Sequence, residues 1–272
     1  MYVLPNLLTT GNLFFGFFSI VKSLNGDFSW AASAIFLAAV FDILDGRVAR
    51  LTHGTSEFGV QYDSLCDLVS FGLAPSFLMY QMGLSGLGRF GWIVCFVFLA
   101  CGALRLARFN VQSSIGKASG DFTGLPIPMA ALVVASFTAV VVNSPDEIQT
   151  WPSWLSQAMT WYLADPRVKT WSLAVGGIIL GLAMVSNISY RSHKTVRITA
   201  IRPFRLLVML VILLALVAMQ PELCGFLLAF IYSLTGPIEW VLGWKAPTSE
   251  DEIFALGEGV EDQMTEKMDQ MT

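Results

Sequence analysis

Apolar residues run along this chain in long blocks that short polar breaks separate. Blocks of about 20 residues recur, and that is the length an α-helix needs to cross the hydrocarbon core of a bilayer. The pattern predicts eight spans, at residues 6–24, 28–51, 60–84, 89–111, 125–143, 169–187, 204–220 and 223–243. Only a helix closes its backbone hydrogen bonds within one segment in lipid, so we expect an all-α, polytopic transmembrane helical bundle. Pro221 separates the last two spans, which also fit one re-entrant pair.

The composition agrees with a membrane protein. Hydrophobic residues make up 55% of the chain and charged residues 13%, about half the charged content of a soluble protein. The N-terminus lacks the basic region and small-residue cleavage site of a signal peptide, so we expect the first span to be retained. Residues 151–162 are rich in Trp and Tyr, which predicts a segment along the membrane interface.

Lys and Arg fall unevenly on the two sides of the predicted bundle. If the connection between the second and third spans faces the cytoplasm, 12 Lys and Arg residues lie on that side and 4 on the other. The positive-inside rule then predicts cytoplasmic termini. The last residues, 244–272, are acidic and carry a net charge of −6, whereas the rest of the chain carries +2. We expect this tail to be a solvated, partly disordered cytoplasmic appendage.

Residues 41–68 carry four aspartates in a chain that otherwise avoids charge. Asp42 and Asp45 are three residues apart, and Asp63 and Asp67 are four apart. On helices, both spacings put the paired side chains on one face. Two helices that each offer two carboxylates to one gap would repel each other, and hard divalent cations with oxygen ligands relieve such repulsion. Acidic residues inside membrane spans are costly and usually functional.

The full spacing is Asp42-x2-Asp45-Gly46-x2-Ala49-Arg50-x8-Gly59-x3-Asp63-x3-Asp67, which fixes eight residues over 26 positions. It resembles the signature of the CDP-alcohol phosphotransferases, membrane enzymes that transfer a phosphate-bearing group from a CDP-linked donor to an alcohol and release CMP. The runs DSLCDLVSFGLAP (63–75), RLARFN (105–110), GLPIP (124–128) and PNLLTTGNL (5–13) are similar to the bacterial phosphatidylserine synthase branch of that family. The resemblance covers roughly residues 1 to 185.

The resemblance implies a reaction and a set of roles. The expected substrates are CDP-diacylglycerol and L-serine, the expected cofactors are two divalent cations, Mg²⁺ or Mn²⁺, and the expected assembly is a homodimer. Asp42, Asp45 and Asp63 would bind metal, with Asp42 and Asp63 bridging both ions. Asp67 would sit beside the second ion and act as the general base. The residues expected to bind the CDP donor are Gly46, Ala49, Arg50, Gly59, Asn6 and Thr9.

Two further assignments keep alternatives. Asn6 and Thr9 could instead be a helix cap and a helix start. Arg105 and Arg108 fit either membrane anchors or a clamp for phosphate or for the carboxylate of serine, since Arg suits both anions. His53 is the histidine in the connection between the motif helices and a weaker candidate for a substrate contact.

The expected organisation has three parts. Residues 1–187 form the catalytic membrane core, 188–243 a basic cytoplasmic connection with an additional transmembrane hairpin, and 244–272 the acidic tail. We expect a multi-pass protein of a bacterial inner membrane with its active site facing the cytoplasm. A related enzyme that uses glycerol phosphate or inositol phosphate as acceptor is the alternative within the family. A transporter or channel is the alternative outside it, although the acids cluster at one membrane face rather than along a path.

Overall fold

A computed structural model describes residues 3–52, 56–114, 122–147, 153–190 and 221–241 of the 272-residue chain. The helices are α1 (Val3–Leu24), α2 (Phe28–Leu51), α3 (Glu57–Asp67), α4 (Ala74–Met82), α5 (Arg89–Ser114), α6 (Ile127–Glu147), α7 (Ser153–Ala164), α8 (Pro166–Val185) and α9 (Pro221–Val241). A π-helical segment, Leu68–Leu73, connects α3 to α4, and a short 3-10 turn, Leu84–Leu87, precedes α5. Two short strands, β1 (Phe122–Thr123) and β2 (Ser189–Tyr190), pair antiparallel.

The helical membrane class predicted from the sequence is confirmed. Within the described ranges, four helices are long and apolar enough to cross a bilayer, at Leu4–Leu24, Phe28–Leu51, Arg89–Gln112 and Pro166–Val185. Many large apolar side chains on their outer faces are exposed, as expected for surfaces that lipid covers. The predicted spans at 60–84, 125–143 and 223–243 also coincide with helical segments to within a few residues. The predicted span at 204–220 lies outside the described residues, so the number eight stays a prediction.

The first two helices form a tight antiparallel pair. They are joined by a short turn in which Gly26 adopts a φ of +79°, a conformation that glycine tolerates without steric cost. The hydroxyl of Ser19 donates to the backbone oxygen of Ala31 across the pair at 2.8 Å. Buried alanines on α2, among them Ala31, Ala34 and Ala38, present little side-chain bulk to the helices packed against α2. Small residues and polar cross-helix bonds are the usual means of joining helices in lipid, where burial of apolar surface drives little association.

The third predicted span is one continuous helical segment, which changes from α-helix to π-helix and back to α-helix. It begins after Ser56, whose side chain caps the helix by accepting a hydrogen bond from the backbone N–H of Gly59 at 3.0 Å. Replacing such a cap by alanine typically costs about 1 kcal/mol. The π segment then follows Asp67 directly, and Ser70 within it donates to the backbone oxygen of Asn12 on α1 at 3.0 Å. Segments of this kind are frequent at functional sites.

The end of α8 is held by two of the sequence runs noted above. In the run 105–110, Arg108 donates to the backbone oxygen of Val185 at 2.6 Å and to Oδ1 of Asn187 at 3.1 Å. In the run 124–128, the N–H of Leu125 donates to the oxygen of Ala183 at 3.0 Å. Both contacts satisfy carbonyl groups that the end of a helix leaves without an intrahelical partner, and the cation complements the helix dipole.

The remaining helices complete the bundle. α6 packs against α2 and α9, and α5 packs against α8. Residues 153–162 of the predicted interfacial segment lie in α7, which packs against α8. The place of α7 at a membrane interface stays a prediction. The basic connection at 191–220 and the acidic tail lie outside the described residues, as does His53.

Candidate active site

The four motif aspartates come from two helices, as the spacing predicts. Asp42 and Asp45 lie in the C-terminal half of α2, and Asp63 and Asp67 lie on α3. Carboxylate oxygens of Asp42, Asp63 and Asp67 all lie within 4.8 Å of one another. Asp45 is outside this trio but contributes to the cavity beside it, together with Asp63. The structure therefore agrees with the prediction that two helices bring their carboxylates to one gap.

The cluster concentrates negative charge in a secluded place. Asp45 and Asp67 are buried, and Asp42 and Asp63 are half-buried. Among the described residues, none of the four carboxylates forms an ion pair with Lys or Arg. Carboxylates this close cannot all remain ionised without compensation. Cations bound among these carboxylates would let the cluster keep its charge.

The residues present fit divalent cations. Oδ2 of Asp45 and Oδ1 of Asp63 are buried and have no hydrogen-bond partner among the described residues. Buried carboxylate oxygens without a partner are uncommon in proteins, because leaving them unsatisfied costs free energy. An all-oxygen donor set from several carboxylates is what Mg²⁺ and Mn²⁺ prefer. The trio of Asp42, Asp63 and Asp67, with Asp45 adjoining it, could hold such ions.

A cavity opens next to the cluster between α1, α2 and the start of α3. Of the six residues predicted to bind the donor, five line it: Asn6, Thr9, Gly46, Ala49 and Gly59. A Cβ added at Gly46 would meet nothing within 4 Å, so this glycine leaves open space on the cavity wall. The alternative that Asn6 is a helix cap is wrong, because α1 begins at Val3 and Asn6 lies inside it.

Arg50 is the sixth residue that the sequence predicted to bind the CDP donor. Its side chain is exposed near the end of α2 and does not line the cavity. The sequence places it one residue after Ala49, and on a helix neighbours in sequence point in different directions. Its predicted contact with the donor phosphates stays a prediction.

Asp67 has a partner that the sequence analysis did not identify. Nδ2 of Asn12, on α1, donates to Oδ1 of Asp67 at 2.9 Å, and the Asn12 side chain is fully buried. Oδ1 of Asn12 itself is buried without a hydrogen-bond partner among the described residues. The available signal was a polar amide in the middle of an apolar span, which is costly unless it has a partner.

The two candidate arginines have different surroundings. Arg108 is committed to the end of α8 through its bonds to Val185 and Asn187. Arg105 is buried and lies within electrostatic range of Asp67 and Asp42. Its guanidinium also lies 5.6 Å from the centre of the Phe109 ring, a cation–π distance. The spacing of three residues did not distinguish the two arginines, whereas their tertiary neighbours do.

Asn110, in the same run of α5, is tied to the motif helix. Its Nδ2 donates to Oγ of Ser64 at 3.0 Å, between the two aspartates of α3. Thus the runs 63–75 and 105–110, which carried the narrower resemblance, contact each other in the fold. α5 is thereby fixed against the helix that carries Asp63 and Asp67.

Comparison with known proteins agrees with this geometry. The family model of CDP-alcohol phosphatidyltransferases matches residues 2–163. A CDP-diacylglycerol–serine O-phosphatidyltransferase of Helicobacter pylori is 34% identical over 242 residues, which are 89% of this chain and 92% of that protein. The enzyme of the same name from Methanocaldococcus jannaschii is 34% identical over 211 residues, 78% of this chain and 84% of that protein.

An archaetidylserine synthase of Methanothermobacter thermautotrophicus is 44% identical over 142 residues, which are 49% of this chain and 57% of that protein. The family model covers α1 to α7, and these include both helices that carry the aspartates. The motif, the carboxylate cluster and the extent of these matches together establish that this chain belongs to the CDP-alcohol phosphatidyltransferase family.

Proposed function

We propose that this protein transfers the phosphatidyl group of CDP-diacylglycerol to the hydroxyl of L-serine, giving phosphatidylserine and CMP. The observation that carries the proposal is the carboxylate trio of Asp42, Asp63 and Asp67 beside a cavity lined by the donor-binding motif. The names of the relatives that match most of the chain support serine as the acceptor. In the reaction, the serine oxygen forms a bond to the lipid-side phosphorus. The bond from that phosphorus to the bridging oxygen breaks, and CMP leaves with the electron pair.

The proposed donor site is the cavity between α1, α2 and α3. Gly46 and Ala49 on α2 offer little side-chain bulk, so a nucleotide could approach the helix backbone there. Asn6 and Thr9 of α1 would line another part of the cavity wall. Gly59 would line it near the start of α3. Asp45 and Asp63 also line the cavity, which would bring the donor diphosphate next to the carboxylates. In this way the chain would hold the donor with its reacting phosphorus at the cluster.

The proposed cofactors are two divalent cations, Mg²⁺ or Mn²⁺, held by Asp42, Asp45, Asp63 and Asp67. When bound, such ions neutralise the carboxylates and stabilise the negative charge of the diphosphate and of the departing CMP. The unpartnered oxygens of Asp45 and Asp63 support this assignment. The chain's own part is to fix these carboxylates on two helices, α2 and α3.

Asp67 is the proposed general base. It is the most buried residue of the trio, and Asn12 orients one of its carboxylate oxygens by a hydrogen bond. Bound cations would keep this carboxylate ionised, which is the form that takes a proton from the serine hydroxyl. Proton removal by a positioned base typically contributes about 10²- to 10⁴-fold to the rate. The proton of the attacking hydroxyl would thus end on Asp67.

The proposed setting is a bacterial inner membrane, with the active site facing the cytoplasm and the chain in a homodimer. The distribution of Lys and Arg supports this orientation, because 12 of the 16 fall on the side of the motif connection. An accessibility assay on single cysteines introduced at exposed positions, such as Phe58 and Arg89, tests it. The two positions should be labelled from opposite sides of a sealed vesicle.

An acceptor screen tests the proposed reaction. Purified full-length protein is supplied with CDP-diacylglycerol and Mn²⁺ or Mg²⁺, and then with L-serine, glycerol phosphate or inositol phosphate in turn. Release of CMP that depends on serine, with phosphatidylserine identified by mass spectrometry, is the expected result. Equal or greater turnover with a phosphorylated acceptor would assign the chain to another branch of the family. No CMP with any acceptor would favour the transporter or channel interpretation.

A further inference from the structure

We infer that Arg105 binds the carboxylate of the acceptor serine, and that this contact selects serine over alcohols that lack a carboxylate. The inference rests on the proposed function and deepens it, because it names the residue that recognises the acceptor. The alternatives that the sequence left for this side chain were a membrane anchor and a clamp on the donor phosphates. Its surroundings in the fold argue against both.

Arg105 is a buried cation that no anion among the described residues neutralises by direct contact. The side chain is 8% exposed, and among the described residues its guanidinium forms no ion pair and no hydrogen bond. A membrane anchor would extend its charge to water or lipid headgroups, whereas this one is enclosed. Burying an unpaired charge is strongly unfavourable, so a protein retains one mainly where a ligand supplies the counter-charge. The π face of Phe109, at 5.6 Å, offsets only part of that cost.

The groups that face Arg105 place it on the acceptor side of the cluster. Asp67 exerts the largest attraction on its charge, followed by Tyr232 of α9 and then Asp42, and Arg108 repels it. Asp45, which lines the donor cavity, is not among these groups, and Arg105 does not line that cavity. The guanidinium thus lies within electrostatic range of Asp67 and Asp42 but outside the lining of the proposed nucleotide site. That position does not suit a contact with the donor.

The chemistry of serine matches this arrangement. Its hydroxyl must reach Asp67 to lose a proton, and its carboxylate is joined to the hydroxyl-bearing carbon through the α-carbon alone. The receptor for the carboxylate must therefore lie close to the base. Arg105 is within electrostatic range of Asp67 but, among the described residues, forms no ion pair with it, so its guanidinium can pair with the carboxylate of the acceptor. A guanidinium binds a carboxylate through two parallel hydrogen bonds, so it also fixes the orientation of the acceptor.

Arg108 is excluded from this role by its own contacts. Both of its terminal nitrogens already donate, one to the backbone oxygen of Val185 and the other to Asn187. Removing it should loosen the end of α8 and leave the acceptor site in place. Arg108→Gln is therefore expected to lower the unfolding temperature without changing the preference for serine.

The test compares L-serine with L-serinamide, which keeps the hydroxyl and the amine but replaces the carboxylate with a neutral amide. CMP release from CDP-diacylglycerol is measured for wild type, Arg105→Gln and Arg105→Lys, together with the Kd of the donor. Arg105→Gln should lower kcat/KM for serine by about 10- to 100-fold, the range expected for losing a charged hydrogen bond. Turnover of serinamide and donor affinity should stay near wild type. Arg105→Lys keeps the charge and should retain part of the preference for serine.

Arg89→Gln, which removes an exposed guanidinium at the other end of α5, is the matched control. A preference for serine that is undiminished in both Arg105 variants would overturn the inference. So would an equal loss for serine and serinamide, or a loss of donor affinity that matches the loss of rate. If the wild-type protein releases no CMP with serine, the proposed function itself fails, which is a different outcome. Should Arg105→Gln not fold, the Arg105→Lys comparison still decides.

Discussion

Asn12 on α1 holds the carboxylate of Asp67 on α3, since its Nδ2 donates to Oδ1 of Asp67 at 2.9 Å between two buried side chains. The backbone oxygen of the same Asn12 accepts from Ser70, which lies in the π segment that follows Asp67. A single residue thus fixes both the carboxylate and the chain immediately after it. The first helix thereby sets the orientation of the proposed base.

Replacing Asn12 should slow the chemical step more than it weakens donor binding. Asn12→Ala removes one hydrogen bond to a charged group, worth about 1.5 kcal/mol, so single-turnover CMP release should fall by about tenfold. The donor Kd should change little, because Asn12 does not line the cavity. Asn25→Ala, which removes an exposed amide beyond the other end of α1, is the control and should have no effect. A donor Kd that rises as much as the rate falls would show that Asn12 supports the donor site instead.

Two substitutions separate a base from a ligand at Asp67. Asp67→Asn keeps an oxygen that can accept from Asn12 but cannot take a proton, and its single-turnover rate should fall by about 10²- to 10⁴-fold. Asp67→Glu retains a carboxylate and should keep more activity, limited by the extra methylene. Donor binding should survive in both variants, since the other three aspartates remain. If donor affinity in the Asn variant falls in proportion to the rate, Asp67 is mainly a ligand.

The sequence predicted the helices well because the membrane imposes a length and a composition on them. The predicted span at 28–51 coincides with α2, and the observed turn at Gly26 falls between this span and the one predicted at 6–24. The π segment at Leu68–Leu73 was not predicted. The run around it is nearly all apolar, and a change of winding there leaves the hydrophobic pattern unchanged.

For a similar reason, the sequence did not predict which side chains contact each other between helices. Arg105 and Arg108 are three residues apart on α5 and share a helix face, so no pattern separates them. They differ because the end of α8 reaches one and the carboxylate cluster lies near the other. The hydrogen bond from Asn12 to Asp67 likewise depends on how α1 packs against α3, which the sequence pattern does not show.

The carboxylates predict a requirement for divalent metal. Asp42→Asn and Asp63→Asn should each abolish turnover and weaken the binding of Mn²⁺, which calorimetry measures without any reaction. The fold should survive, because removing a charge from the cluster relieves repulsion. Asp27→Asn, at the other end of α2 in an exposed pair with Lys22, should bind metal normally. Substantial turnover in either cluster variant, or activity that resists a chelator, would contradict metal binding at these residues.

An added methyl group should affect stability at one glycine and donor binding at another. At Gly16, a Cβ would come within 2.6 Å of the Cα of Ser70, so Gly16→Ala should lower stability by about 1–3 kcal/mol through overpacking. At Gly46, a Cβ would meet nothing within 4 Å, so Gly46→Ala should leave the unfolding temperature unchanged. The same substitution should weaken donor binding, because it narrows the cavity. A Gly46→Ala protein with unaltered donor Kd would show that the nucleotide does not use this wall.

The central claim is that the hydroxyl of serine attacks the lipid-side phosphorus of CDP-diacylglycerol at the aspartate cluster. L-Serine labelled with ¹⁸O in its hydroxyl tests it most directly, with mass spectrometry of both products from the purified protein. The account predicts that phosphatidylserine carries the label and CMP carries none, and that Asp63→Asn yields neither product. Label in CMP, or CMP formed without any labelled lipid, would contradict it.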